Sequence, residues 1–269
     1  LRRMLGEMAS AASGDHCRIT RPRLGGASAS PVFAGGMRGI DMSIKPTLFN
    51  TDMVRALLAN RKTVTRRVVK MPAAVTSKTV DRVCVKDGAA QFSWSWSEAF
   101  SGFDVKMPYR PGDILYVRET FCQQHSEEYP FVYKASVETP AAWLWRPSIH
   151  MPREAARIFL RVTDVRVERL QDSFFKYGNT IFYLQREGID IGEHCRECID
   201  TYGSPICNDR ESECGMLDEV RGGFSDLWNS TIKPADCALY GWAANPWVWV
   251  IEFERISREE AEDGLQRAD

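Results

Sequence analysis

Nowhere in the 269 residues does an apolar run approach the roughly 20 residues a helix needs to cross a bilayer. The chain also lacks a glycine-rich phosphate loop of either standard type and any internal repeat. It has no strong excess of one charge, with a formal net charge of -1 and a pI near 6.5. The first absence argues against a membrane-spanning helix, and the last argues against a generally basic nucleic-acid coat protein. The expectation is a soluble, cytoplasmic protein that meets any anionic partner through a local patch rather than its whole surface. What is present is ordinary for a globule: 44% hydrophobic and 26% charged residues, enough for one elaborated domain or a domain with a small appendage.

Residues 1–41 differ from the rest. They are rich in Gly, Ser, Ala and Arg, hold no sustained period, and carry six Arg against three acidic residues. The opening LRRMLGEMASAAS has a basic start, but its apolar part is short and Glu7 interrupts it, so it is not read as a signal peptide. We read 1–41 as a flexible tail or upstream sequence, 42–256 as the domain, and 257–269 as a charged C-terminal tail.

Eight cysteines without an export signal point to reduced thiols and a metal rather than a disulfide framework. Cys17, Cys84, Cys122 and Cys237 are scattered, whereas Cys195, Cys198, Cys207 and Cys214 fall within twenty residues. A two-residue knuckle at Cys195–Cys198 and a wider second pair predict one tetrahedral structural Zn2+, with His194 as a possible substitute ligand. The alternative is four reduced thiols in a loop. This segment, 189–222, is read as a cysteine-rich insertion.

Asn50 or Thr51 can cap a helix over about 52–59, whose apolar face is Met53, Val54, Leu57 and Leu58. Asn60 suits a left-handed stop, and TVTRRVV beyond it reads as a strand. Residues 71–108, with SWSWS inside, are weakly patterned and read as a surface excursion or hairpin. Further strands follow in YRPGDILYVRET, in FVYKA and over Ile158–Leu160–Val162 to Val165 and Val167, with a bend near Thr163-Asp164. The span from Leu170 to Gly188 is helical or mixed, and GGFSDLWNST marks another helix. Near the end NPWVWVIEFERI alternates Trp247, Trp249, Ile251 and Phe253 against Val248, Val250, Glu252 and Glu254. Many short strands and few helices predict an α+β fold, a small mixed β-barrel with flanking helices. A doubly wound sheet is disfavoured because helices and strands do not alternate regularly.

Ten residues, 61–70, gather Arg61, Lys62, Arg66, Arg67 and Lys70 around Thr63 and Thr65. Such a cluster where a helix meets a strand either forms an anion pocket or keeps a sheet edge soluble. NRKTVTRR in this stretch resembles the signature of the ASCH family of PUA-like domains, Gly-x-Lys-x-x-Thr with a following Arg, after an amphipathic helix. Lys62 and Thr65 match it, Arg66 or Arg67 supplies the cation, and Asn60 stands where the family has Gly. YRPGDILYVRET, IFLRVTDVRVERL and WVWVIEFERI resemble later elements, so the likeness covers most of 44–256 and is closest to phage-encoded members.

The resemblance implies a PUA-like barrel and an RNA or modified-nucleoside partner. Amidohydrolases of the family pair the Lys and Thr with a Glu just before Gly, which implies a catalytic trio of Lys62, Thr65 and Glu187, with Gly188 following. The implied reaction removes an acyl group from a modified nucleoside such as N(4)-acetylcytidine. A non-catalytic RNA-binding module and a ribonuclease are the alternatives. Candidate substrate contacts are Arg61, Arg66, Arg67, Arg118, Glu119 and His150; Glu119 either orients Lys62 through an ion pair or sits in solvent. Trp94, Trp96, Trp143 and Trp145 either stack on bases or pack as core and rim. On a straight strand Lys62 and Thr65 point to opposite faces, so sharing a pocket requires a turn between them.

Overall fold

Strand-forming residues dominate the described chain, and their alternation decides which faces are covered. The computed structural model describes residues 44–72, 80, 82–86, 88–96, 99–124, 126, 128–138, 143–172, 180–192, 197 and 216–266. In chain order the elements are β1 (Ile44–Leu48), α1 (Thr51–Leu58), β2 (Val64–Val68), β3 (Arg82–Lys86), β4 (Ala89–Trp96), β5 (Ala99–Lys106), β6 (Ile114–Arg118), β7 (Phe121–Gln123), β8 (Phe131–Tyr133), β9 (Phe159–Arg169), α2 (Thr180–Arg186), α3 (Met216–Thr231), β10 (Trp247–Ile256) and α4 (Arg258–Gln266). Single helical turns join several of them. No described helix is long and apolar enough to cross a membrane.

The main sheet has five strands in the order β1-β6-β9-β10-β2. The β1–β6 pair is parallel, and the other three pairs are antiparallel. Its outer strands β1 and β2 are not paired with each other, so among the described residues the α+β fold contains an open sheet and no closed barrel.

β10 is buried on both sides, and its alternation shows why. Trp249, Ile251 and Phe253 join Leu160, Val162, Val54 and Leu57 in one core, while Val248 and Val250 join Leu184, Phe224 and Trp228 in a second. The bend expected near Thr163 is a β-bulge. Glu252 faces Asp164 but Phe253 faces Val162, which leaves Thr163 without a partner. That extra residue explains how Val162 and Val165, three positions apart, both enter the first core.

The stretch around 71–108 contributes more than a surface hairpin. Its strands form the meander β3-β4-β5, and Ala90 and Phe92 are fully buried in the first core. The Phe92 ring stacks on Phe103 at 5.1 Å and meets Trp247 edge-on at 5.8 Å. The expectation of thiols reduced throughout is corrected at Cys84, on β3, which is disulfide-bonded; Cys122 and Cys237 are free. Cys195, Cys198, Cys207 and Cys214, with His194, lie outside the described residues.

Candidate functional site

Local chain chemistry sets the site. The Asn50 side chain caps α1 by accepting from the Met53 N–H at 2.9 Å. Just past the helix's C-cap at Ala59, Asn60 takes the left-handed region at φ 55°, where asparagine carries little strain. The Arg61 and Lys62 N–H groups then both return to the Ala56 carbonyl, at 2.9 and 3.2 Å. Lys62 therefore leaves the helix in a turn and precedes β2 rather than lying on it, which frees its side chain from the strand's alternation.

A second backbone link brings the remaining carboxylate in. The Thr63 N–H donates to the Arg186 carbonyl at 2.9 Å, fastening the end of α2 beside the turn. Gly188 at φ +87° closes that helix end; its N–H bonds the Gln185 carbonyl at 2.9 Å, and that of Ile189 bonds the Leu184 carbonyl at 3.1 Å.

Lys62 Nζ donates to Glu187 Oε2 at 3.0 Å and to the Glu187 carbonyl at 2.5 Å. Arg66 donates to the other carboxylate oxygen. Lys62, Arg66 and Glu187 are all buried, and so is Thr65. The Thr65 hydroxyl accepts from Arg67 Nη1 at 2.9 Å.

These five side chains line one cavity of about 380 Å³, within the range of small-molecule sites. The rest of its wall is largely apolar, from Phe49, Met53, Phe224, Leu227, Trp228 and Ile232.

Burial lowers the Lys62 pKa below its ordinary value. Glu187 opposes that shift, and the Arg67 and Arg66 charges add to it. Desolvation, rather than the cluster of cations, is thus the main cause. Burial pushes the Glu187 carboxyl up, but Lys62 and Arg66 outweigh it and hold the group below the usual range, as a carboxylate. The arrangement combines a hydroxyl, an amine inclined to give up its proton and a fixed carboxylate around a space of substrate size.

Four of the residues read as substrate contacts do not line the cavity: Arg61, Arg118, Glu119 and His150. Glu119 neither orients Lys62 nor sits in solvent. It is buried and gripped by Arg157 at 2.8 and 3.0 Å. A buried carboxylate takes the cation the fold supplies, and that partner lies on the strand approach to β9. Arg118 donates to the Met151 carbonyl at 2.9 Å and to that of Ile149, holding the loop that carries the exposed His150. The Trp143 and Trp145 rings lie tilted at 6.4 Å, while the Trp94 and Trp96 side chains lie outside the described residues.

The apolar wall was not foreseen as a site. Phe224, Leu227, Trp228 and Thr231 share one helix face, but such a stripe also fits a core-facing helix, and spacing alone does not tell the two apart.

Comparison with protein-family models, with curated proteins and with solved structures returns no match.

Proposed function

We propose that the cavity is the active site of a hydrolase that removes an acyl group from the amide of a modified nucleoside, with N(4)-acetylcytidine as the leading candidate. The observation that carries this reading is the meeting of Lys62, Glu187 and Thr65 on one cavity wall. In the same reading the chain is an ASCH-like, PUA-like domain, supported by the order helix, left-handed Asn60, Lys62, Thr65, strand.

The chemistry follows from the side chains. The Thr65 hydroxyl attacks the acyl carbon and passes its proton to the Lys62 amine, which first releases its own proton to solvent, a loss that burial favours. Lys62, held by Glu187, returns that proton to the departing nucleoside amine as the C–N bond breaks. Water then cleaves the acyl ester on Thr65, so the sum is amide plus water to amine plus carboxylic acid. Arg67, already bonded to the Thr65 oxygen, stabilises negative charge developing there.

A screen of acylated nucleosides tests the proposal with the parent protein, Lys62→Ala and Glu187→Gln. Loss of a general base or its partner costs about 10²–10⁴-fold in turnover, while circular dichroism should show both variants folded. Turnover that survives Lys62→Ala rejects the reading. Absence of turnover in the parent, together with RNA affinity that falls steeply with salt, favours the RNA-binding module instead.

A further inference from the structure

We propose that the cavity takes a ligand carrying an oxyanion group, carboxylate or phosphate, and that Arg67 is the residue that holds it. The inference rests on the reading of this cavity as the substrate site and narrows the substrate to an anionic form, an acylated nucleoside that bears a phosphate or carboxylate rather than the free uncharged nucleoside.

Positive charge outweighs negative on the cavity wall. Three cations, Lys62, Arg66 and Arg67, stand against one carboxylate, Glu187. Lys62 and Arg66 both bond that carboxylate, one to each oxygen. Arg67 does not. Its three hydrogen bonds go to neutral oxygens: the Thr65 hydroxyl at 2.9 Å, the Arg66 carbonyl at 3.0 Å and the Leu48 carbonyl at 3.0 Å. The Phe49 ring lies 5.4 Å from the guanidinium carbon. Among the described residues no carboxylate forms an ion pair with Arg67.

Those contacts hold the head of Arg67 without neutralising it. A guanidinium has five N–H donors in a planar fork and stays charged at any ordinary pH. Three bonds leave donors for a further acceptor, and Phe49 limits the rotation of the group. The Leu48 bond spans from edge strand β2 to edge strand β1, so Arg67 is anchored across the gap between the two strands that the sheet leaves unpaired. A planar fork held in one orientation at a cavity wall suits the two oxygens of a carboxylate or phosphate. An uncharged ligand would leave the cavity's excess positive charge uncompensated in a half-apolar space.

Arg66 and Arg67, adjacent and alike in sequence, thus divide the work. Arg66 binds Glu187 and belongs to the protein's own ion pairs, whereas Arg67 faces the ligand.

Calorimetry at fixed ionic strength tests the inference with two matched pairs of probes. Cytidine is compared with cytidine 5′-monophosphate, and N-methylacetamide with N-acetylglycine. In the parent protein the charged member of at least one pair should bind tenfold or more tightly than its neutral partner; which pair discriminates identifies phosphate or carboxylate. Arg67→Met should erase the preference, and Arg61→Gln, off the cavity wall, should retain it. Equal binding within both pairs, no binding of either charged probe, or a preference that survives Arg67→Met overturns the proposal. Should Arg67→Met not fold, Arg67→Lys replaces it, and a preference undiminished in that variant overturns the role of the fork.

The two readings fail separately. An anion preference that depends on Arg67, with no acyl compound hydrolysed, leaves the anion site standing and removes the hydrolase. Hydrolysis with no anion preference does the reverse.

Discussion

A Cβ placed on Gly188 would lie 2.8 Å from the Ala56 Cβ and 3.2 Å from the Lys62 Cβ, at a backbone φ of +87° that L side chains avoid. Gly188→Ala is therefore expected to destabilise the protein by about 2–4 kcal/mol, combining left-handed strain with overpacking, and to lower activity by displacing Lys62. Urea unfolding and turnover measured on the same preparation check both effects. Glu187 supplies a pH prediction. Its folded-state pKa lies below the ordinary 4.5, so its contribution to stability is complete above pH 4.5 and fades as pH falls through the folded value. The parent should lose stability on acidification below pH 4.5 more steeply than Glu187→Gln, which lacks this titration; denaturant midpoints across pH 3–6 measure the difference. At this scale the sequence was informative where one residue's backbone preference decides the outcome. Asn50 as cap and Asn60 as left-handed stop follow from the chemistry of asparagine alone. Pairings such as Glu119 with Arg157 were not legible, because a carboxylate's neighbours in sequence do not reveal which cation the fold will bring to it.

Among elements, the docking of α2 against the turn before β2 decides whether Glu187 reaches Lys62. Besides the backbone bond to Thr63, the Arg186 side chain donates to Thr63 Oγ1 at 3.0 Å and to Glu252 at 2.8 Å. Glu252 is also bonded by Arg166 at 2.6 Å, so the helix end is tied through β10 to β9. Arg186→Met should loosen this connection without touching the cavity wall. The expected result is faster hydrogen exchange at the Thr63 amide and a turnover lowered by about tenfold, in keeping with the sensitivity of reacting groups to small misplacements. Unchanged exchange at Thr63 would show that the backbone bond alone suffices. The strands with clear alternation, β9 and β10, could be placed from sequence to within a residue or two. The meander β3-β4-β5 could not, because serines and glycines interrupt its apolar positions and its buried residues among those described, Ala90 and Phe92, are few.

For the whole molecule, the central position of β10 makes its two faces interdependent. Trp249→Ala on one face should cost about 3–5 kcal/mol and Val250→Ala on the other about 2–3 kcal/mol. Each variant should still unfold in a single transition by both circular dichroism and tryptophan fluorescence; separate transitions would mean that the two cores melt independently. The α+β class was readable from the number and brevity of the strands. The openness of the sheet was not, since strand order depends on pairings between residues far apart in the chain. Those distant pairings also govern when the protein can work. β2, which carries Thr65, Arg66 and Arg67, has β10 as its only neighbour in the sheet among the described residues, with Thr65 opposite Ile251. The cavity's edge strand thus waits for the last of the described strands to be made, and contacts closing so large a loop form slowly. During synthesis on the ribosome, a chain halted before Trp247 would carry every side chain named in the cavity and yet lack the strand that holds β2 in the sheet. Competence for ligand would arise only after translation had passed β10, as one of the final events of folding.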